Sequence, residues 1–109
     1  MAGWYELTKN GKGQYSFVLK AGNAQVILRS EQYEAKPSAQ GGIESVQKNS
    51  PLSERYELKT ASDGRPYFNL KASNGQVIGT SQMYASEAAR QNGIDSVKTN
   101  GPSKDVREP

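Results

Sequence analysis

The stretch FVLKAGNAQVI at residues 17–27 returns as FNLKASNGQVI at residues 68–78. The same offset of 51 joins Tyr5-Glu6-Leu7 to Tyr56-Glu57-Leu58, Tyr33 to Tyr84, Ile43 to Ile94 and Pro51 to Pro102, and no gap is needed. Roughly 21 of about 48 paired positions are identical, far beyond chance. The chain is therefore two copies of one unit, repeat one at 1–51 and repeat two at 53–102, followed by a polar tail at 103–109. A unit of that length cannot bury an apolar face alone, and two units are too few for an open solenoid. The expectation is a single domain in which the copies close on one another about a pseudo-two-fold axis. Such a chain imitates a C2 dimer within itself, which predicts a monomer.

Each unit reads as β-β-β-α. Trp4 to Leu7 alternates with aromatic residues, as a strand does. Asn10 to Gly13 and Ala61 to Gly64 carry turn chemistry. In the next strand Phe17, Leu19 and Ala21 share one face, matched by Phe68, Leu70 and Ala72. The opposite face of repeat two holds Tyr67, Asn69 and Lys71, so the Phe/Leu/Ala face is the buried one. Asn23-Ala24 and Asn74-Gly75 stand at a second tight turn, and Gln25 to Leu28 and Gln76 to Ile78 give a third strand. After Tyr33 and Tyr84 the period changes to that of a helix. Ser86 is placed to cap one helix and Pro37 to sit in the first turn of the other. Ala39, Ile43 and Val46 form one apolar stripe; Ala89, Gly93, Ile94 and Val97 form its counterpart. Asn49 and Asn100 end the helices, with Pro51 and Pro102 beyond. Gly42 and Gly93 lie within them, where glycine costs about 1 kcal/mol relative to alanine. Close approach of helix to sheet accounts for that cost. The predicted architecture is α+β: one mainly antiparallel sheet packed by two helices, with Val106 available as a short edge strand.

Composition excludes several functions. Among 109 residues there is no cysteine and no histidine, which removes disulfides, thiolate metal sites and the usual general base near neutral pH. No metal and no cofactor is expected. Fourteen basic residues face 11 acidic ones, a net charge of +3, mixed along the chain. Met1 to Leu7 lacks the pattern of a signal peptide, and no apolar run reaches the roughly 20 residues of a membrane span. A cytoplasmic protein without membrane contact is expected.

Chemistry-bearing motifs reduce to structure when set beside the repeat. Gly11-Lys12-Gly13 lacks the ending of a phosphate loop and precedes a strand. Ser30, Ser45, Ser81 and Ser96 with Lys20 and Lys71 could supply a serine–lysine nucleophile. They recur with the fold-forming positions, whereas a catalytic site needs one copy of each group. Glu6 and Glu57 are placed to pair with Lys20 and Lys71 across strands. Asp63 and Asp95 are isolated. Trp4, Tyr15, Tyr67 and Tyr84 are aromatic candidates, most simply read as core-edge residues with bonded hydroxyls. The reading is a non-enzymatic binding or accessory module whose working surface is the solvent face of the sheet or a groove between the repeats. Tyr67, Asn69, Lys71, Lys20 and Arg55 are its candidate binding residues. The sequence names no ligand or partner; a protein pairing at an open sheet edge and weakly held single-stranded nucleic acid are the two modes it leaves open. A small enzyme with a site between the repeats is the remaining alternative.

The blocks MAGWYELTK at the start, YFNLKASNGQVIGTSQMY from Tyr67 to Tyr84 and NGIDSVKTN from Asn92 to Asn100 resemble the YegP-like family of small bacterial and archaeal proteins. The resemblance runs from Met1 to about Pro102. It implies three-strand-plus-helix repeats joined in a single sheet, with C-terminal strands exchanged between copies, and dimers among one-copy relatives. It brings no catalytic residues, the family being uncharacterised in function. Leu28-Arg29, where repeat two has Gly79-Thr80, departs from the pattern at a strand end.

Overall fold

A computed structural model describes residues 3–109; Met1 and Ala2, the first two positions of repeat one, lie outside the described residues. Repeat one supplies β1 (Trp4–Lys9), β2 (Tyr15–Lys20), β3 (Val26–Arg29) and α1 (Lys36–Asn49). A short 3-10 turn (Ser53–Arg55) leads into β4 (Tyr56–Thr60), β5 (Pro66–Lys71), β6 (Val77–Thr80) and α2 (Glu87–Asn100), and the tail forms β7 (Val106–Arg107). Among the described residues the strands make one sheet in the order β4-β5-β6-β3-β2-β1-β7. All pairs are antiparallel except β1 with β7.

The turns follow their residues. Gly75 adopts a φ of 86°, and Ala24 at the same point of repeat one is forced to 71°. An L side chain is strained there. Ser86 accepts a hydrogen bond from the Ala89 N–H and caps α2, and Pro37 lies in the first turn of α1. The third strands run one or two residues further than their spacing suggested, because Arg29 and Thr80 pair across the centre of the sheet.

One core serves both copies. Tyr5, Leu7, Phe17, Leu19, Ile27 and Leu28 from repeat one and Phe68, Leu70 and Ile78 from repeat two meet Ala39, Ile43, Val46, Ile94 and Val97 of the helices. The expected stripe of α2 is corrected at one position. Ala89 is half-buried at the rim, and Arg90 stands where α1 has Ala39. Its nearly buried side chain reaches the Lys59 carbonyl (Nη1 donating, 3.1 Å).

Gly42 and Gly93 admit tyrosine rings. A Cβ on Gly42 would lie 2.5 Å from Tyr33 Oη and 3.0 Å from Phe17 Cε2, and one on Gly93 would collide with Tyr84 Oη. Tyr33 and Tyr84 stack on Phe17 and Phe68 in the space so made. The close approach is thus helix to tyrosine, above the sheet.

Asn49 and Asn100 end the helices without a left-handed cap. The following Ser50 and Gly101 keep right-handed helical φ values of −58° and −57°. Each asparagine turns its amide back to the carbonyl four residues earlier, Ser45 or Ser96 (2.8 Å). Asn49 Oδ1 then accepts from Arg55 Nε (2.9 Å), and Asn100 Oδ1 accepts from the Gly3 N–H (2.8 Å). Tyr56 Oη donates to the Ser50 carbonyl and Tyr5 Oη to the Gly101 carbonyl. The first junction is covalent and the second is closed by hydrogen bonds, so the chain is almost a ring.

Equivalent residues meet at the axis, and there the repeat breaks. Gly79 faces Leu28, whose Cδ2 would be 2.6 Å from an added Cβ, and Gly101 packs against Ser50. Two leucines could not both occupy the first position.

Two stability changes follow. Ala24→Gly should raise stability by about 1 kcal/mol, read as a higher urea midpoint at unchanged slope. Gly79→Leu should cost about 1–3 kcal/mol and Leu28→Gly about 2–5 kcal/mol. The double variant should lose clearly less than their sum, because the leucine only changes sides; strict additivity would reject the packing account.

Candidate functional site

Both helices lie on one side of the sheet, leaving the other side uncovered. Alternation puts Ser16, Val18 and Lys20 of β2 on that side, since Phe17 and Leu19 are buried. Tyr67, Asn69 and Lys71 of β5 share it for the same reason. Glu57 on β4 sits directly opposite Asn69 and diagonal to Lys71. Its carboxylate accepts from Lys71 Nζ (3.0 Å) and Asn69 Nδ2 (3.3 Å), which holds it below the usual carboxylate range. Asn69 Oδ1 in turn accepts from Thr80 Oγ1 (2.9 Å). Repeat one builds the sister pair, Lys20 with Glu6 at 3.1 Å. There the Trp4 indole N–H also donates to Glu6 (3.0 Å) and, with Lys20, lowers its pKa. Trp4 is buried, with the Arg107 guanidinium over its ring at 4.2 Å.

Four of the five candidate binding residues therefore lie on the open face, Tyr67, Asn69 and Lys71 on one hairpin and Lys20 on the other. Arg55 does not join them, being held by Asn49 before β4 begins. Two cations that the sequence reading passed over complete the surface. Arg29 faces Thr80 at the axis, and Lys59 lies opposite Tyr67. Among the described residues neither is in an ion pair. Their signal was present: each is a charge at a strand position where the other copy carries threonine, Thr80 for Arg29 and Thr8 for Lys59.

Between the repeats, where β3 and β6 meet through the single pair Arg29 and Thr80, a groove of about 240 Å³ is lined by these two residues with Ser30, Glu31, Val77 and Ser81. The serines there are occupied. Ser30 Oγ accepts from the Phe17 N–H and donates to the Glu31 carbonyl; Ser81 Oγ does the same with Phe68 and Gln82. Ser45 and Ser96 receive the amides of Asn49 and Asn100. All four repeated serines are thus engaged in holding backbone or helix ends. Among the described residues no three Asp or Glu side chains gather in one place.

Comparison with known proteins gives two matches to one family model, a domain of unknown function, DUF1508, at residues 10–57 and 61–108. The chain belongs to this family. UPF0339 protein YegP of Escherichia coli K12 is 59% identical over 108 residues, 99% of this chain and 98% of that protein. A UPF0339 protein of Shewanella oneidensis is 57% identical over the same span, with the same coverage. Solution NMR structures of the Shewanella oneidensis protein SO3888 and of Escherichia coli yegP, the latter described as a protein of unknown function, both superpose with a TM-score of 0.93. Each covers 99% of this chain, which in turn covers 92% and 93% of theirs.

The DUF1508 matches begin within the first turn and end at a strand, so β4 closes one unit and β7 the other. β4 pairs with β5 of the second unit, which is one half of the reciprocal strand exchange that the resemblance implied. β1 occupies the equivalent place beside β2, and β7 lies one strand further out, parallel to β1.

The tyrosines titrate with the fold. Burial pushes the phenols of Tyr5 and Tyr56 well above the ordinary tyrosine range, and those of Tyr33 and Tyr84 upward too. The folded state therefore keeps protons that the unfolded chain releases above pH about 10. This stabilisation is whole below that pH and is lost as pH rises further, so the urea midpoint should fall steeply from about pH 10 upward. Tyr56→Phe should cost about 1 kcal/mol at neutral pH and flatten that fall. Tyr84→Phe should cost less than Tyr56→Phe, because Tyr56 Oη donates to the buried Ser50 carbonyl whereas Tyr84 Oη has only the Gln82 side chain as a partner.

Proposed function

We propose that the protein is a non-catalytic binding module working through the uncovered face of its sheet, and that the ligand class this face suits best is single-stranded nucleic acid. The observation that carries the reading is the charge on that face. Lys20 and Lys71 are matched by Glu6 and Glu57, while Arg29 at the centre and Lys59 beside Tyr67 face solvent and, among the described residues, are in no ion pair. A flat face with surplus cations and a half-exposed aromatic ring can follow a phosphate backbone and stack a base. The two carboxylates keep such binding weak and salt-sensitive. The serines that an enzyme reading would use are already bonded to backbone or to asparagine. A cytoplasmic location, where single strands are accessible, belongs to the same reading.

Titration of the labelled protein with short single-stranded RNA or DNA should shift the amides of Arg29, Tyr67, Asn69 and Lys71 at low salt. The affinity should fall with a log–log salt slope of about −3 for four phosphates. Arg29→Glu should remove most of the response. Absence of shifts at low salt, or shifts confined to the helices, would reject the proposal.

A further inference from the structure

The sheet ends differently on its two sides. Beyond β1 the tail adds β7: the Tyr5 N–H donates to the Asp105 carbonyl (2.8 Å), and Val106 and Arg107 register with Tyr5 and Glu6. Glu108 and Pro109 line the same surface hollow as Leu7, and Glu108 pairs with Lys36 of α1. Among the described residues no strand lies beyond β4. Leu7 is 4% exposed and its equivalent Leu58 is 57% exposed.

The free backbone groups of β4 follow from its pairing. The Ala61 N–H donates to the Arg65 carbonyl, so Glu57 and Lys59 turn their groups to β5 while Leu58 and Thr60 turn theirs outward. Tyr56 offers only its carbonyl, since its N–H donates to Ser53. A parallel strand like the tail does not fit here. The N–H that would receive it is taken, and Arg55 replaces the Trp4 ring on which Arg107 rests.

An antiparallel strand fits, and the order Glu57-Leu58-Lys59 is complementary to itself when reversed. We propose that β4 pairs with β4 of a second copy about a two-fold axis through Leu58, joining two sheets into one. Glu57 then stands opposite the second copy's Lys59 on one face, and the two Leu58 side chains meet on the other. Leu58 exchanges N–H and carbonyl with its equivalent, and Thr60 donates to the Tyr56 carbonyl, about four hydrogen bonds in all. A shift of the axis by one residue sets Glu57 against Glu57 or Lys59 against Lys59, so charge selects the register. The far end of each sheet carries the two-residue β7, followed by Pro109. Association therefore stops at a dimer and does not run on into a fibre. The contact is small, so the dissociation constant is expected on the order of 100 µM. It adds an association that the internal two-fold does not require, and it does not depend on nucleic-acid binding.

Sedimentation velocity and amide shifts should be followed from about 1 mM down to about 10 µM, a range spanning that constant. The wild type should move from dimer to monomer, with the shifts centred on Leu58 and Thr60. Lys59→Glu and Glu57→Lys should each weaken self-association about ten-fold or more. An equimolar mixture of the two should associate at least as well as wild type, because every cross-strand pair becomes opposite in sign. Leu58→Asp, at an exposed position that leaves the fold intact, should abolish the dimer even if Glu57→Lys unfolds on losing its Lys71 pair. A wild type that stays monomeric at about 1 mM, or a Lys59→Glu variant that associates as wild type does, would overturn the proposal.

Discussion

A three-stranded unit with one fourteen-residue helix has an apolar sheet face and too little of its own to cover it. Everything else in the structure answers that shortage. Each helix crosses the midline and packs on strands of both copies, α1 on β2, β5 and β6, α2 on β5, β3 and β2. The resulting core belongs to neither half. Because the cover lies wholly on one side, the other side of the sheet is left to solvent, and its alternating positions carry Lys20, Arg29, Asn69 and Lys71. The candidate surface is thus a by-product of how the core is filled.

The pseudo-two-fold axis makes a second demand. Away from it, equivalent residues see equivalent neighbours and can stay identical, as Phe17 and Phe68 or Val46 and Val97 do. On it, equivalent residues see each other. Leu28 against Gly79 and Ser50 against Gly101 are large–small pairs at such points, and the size of one limits the other. The departures from the repeat are packing solutions. Where a departure carries charge to the open face, as at Arg29 and Lys59, it also makes the two halves of that face unlike.

The ends of the sheet show the same logic. The closing strand of the second unit finds its place beside β2 filled by β1 and settles outside it, sealing Leu7. Leu58, at the other end, stays exposed. A long internal symmetry therefore leaves one asymmetric edge, where Arg90 reaches the Lys59 carbonyl and the 3-10 turn leads in. Tyr84 is a smaller mismatch of this kind. Its ring is seated by Gly93, but its hydroxyl has the Gln82 side chain for a partner, while Tyr5 and Tyr56 find carbonyls at the helix ends.

Strands, turns, helices and the Glu–Lys pairs were legible in the sequence because they depend on periods and on partners only a strand away. Phe17 and Leu19 alternate with Val18 and Lys20; Ser86 stands at its cap; Glu6 finds Lys20 on the adjacent strand. The removal of Arg55 from the binding set, the reason for Gly42 and Gly93, the work of Asn49 and Asn100, and the contrast between Leu7 and Leu58 were not legible. Each depends on residues far apart in the chain, or on which equivalents meet at an axis. By itself the sequence determined a duplicated unit that must share one core, since the apolar pattern repeats and neither copy suffices. The tertiary structure alone decided which sheet face stays open and which edge stays unpaired, because those follow from where the helices and the tail come to rest.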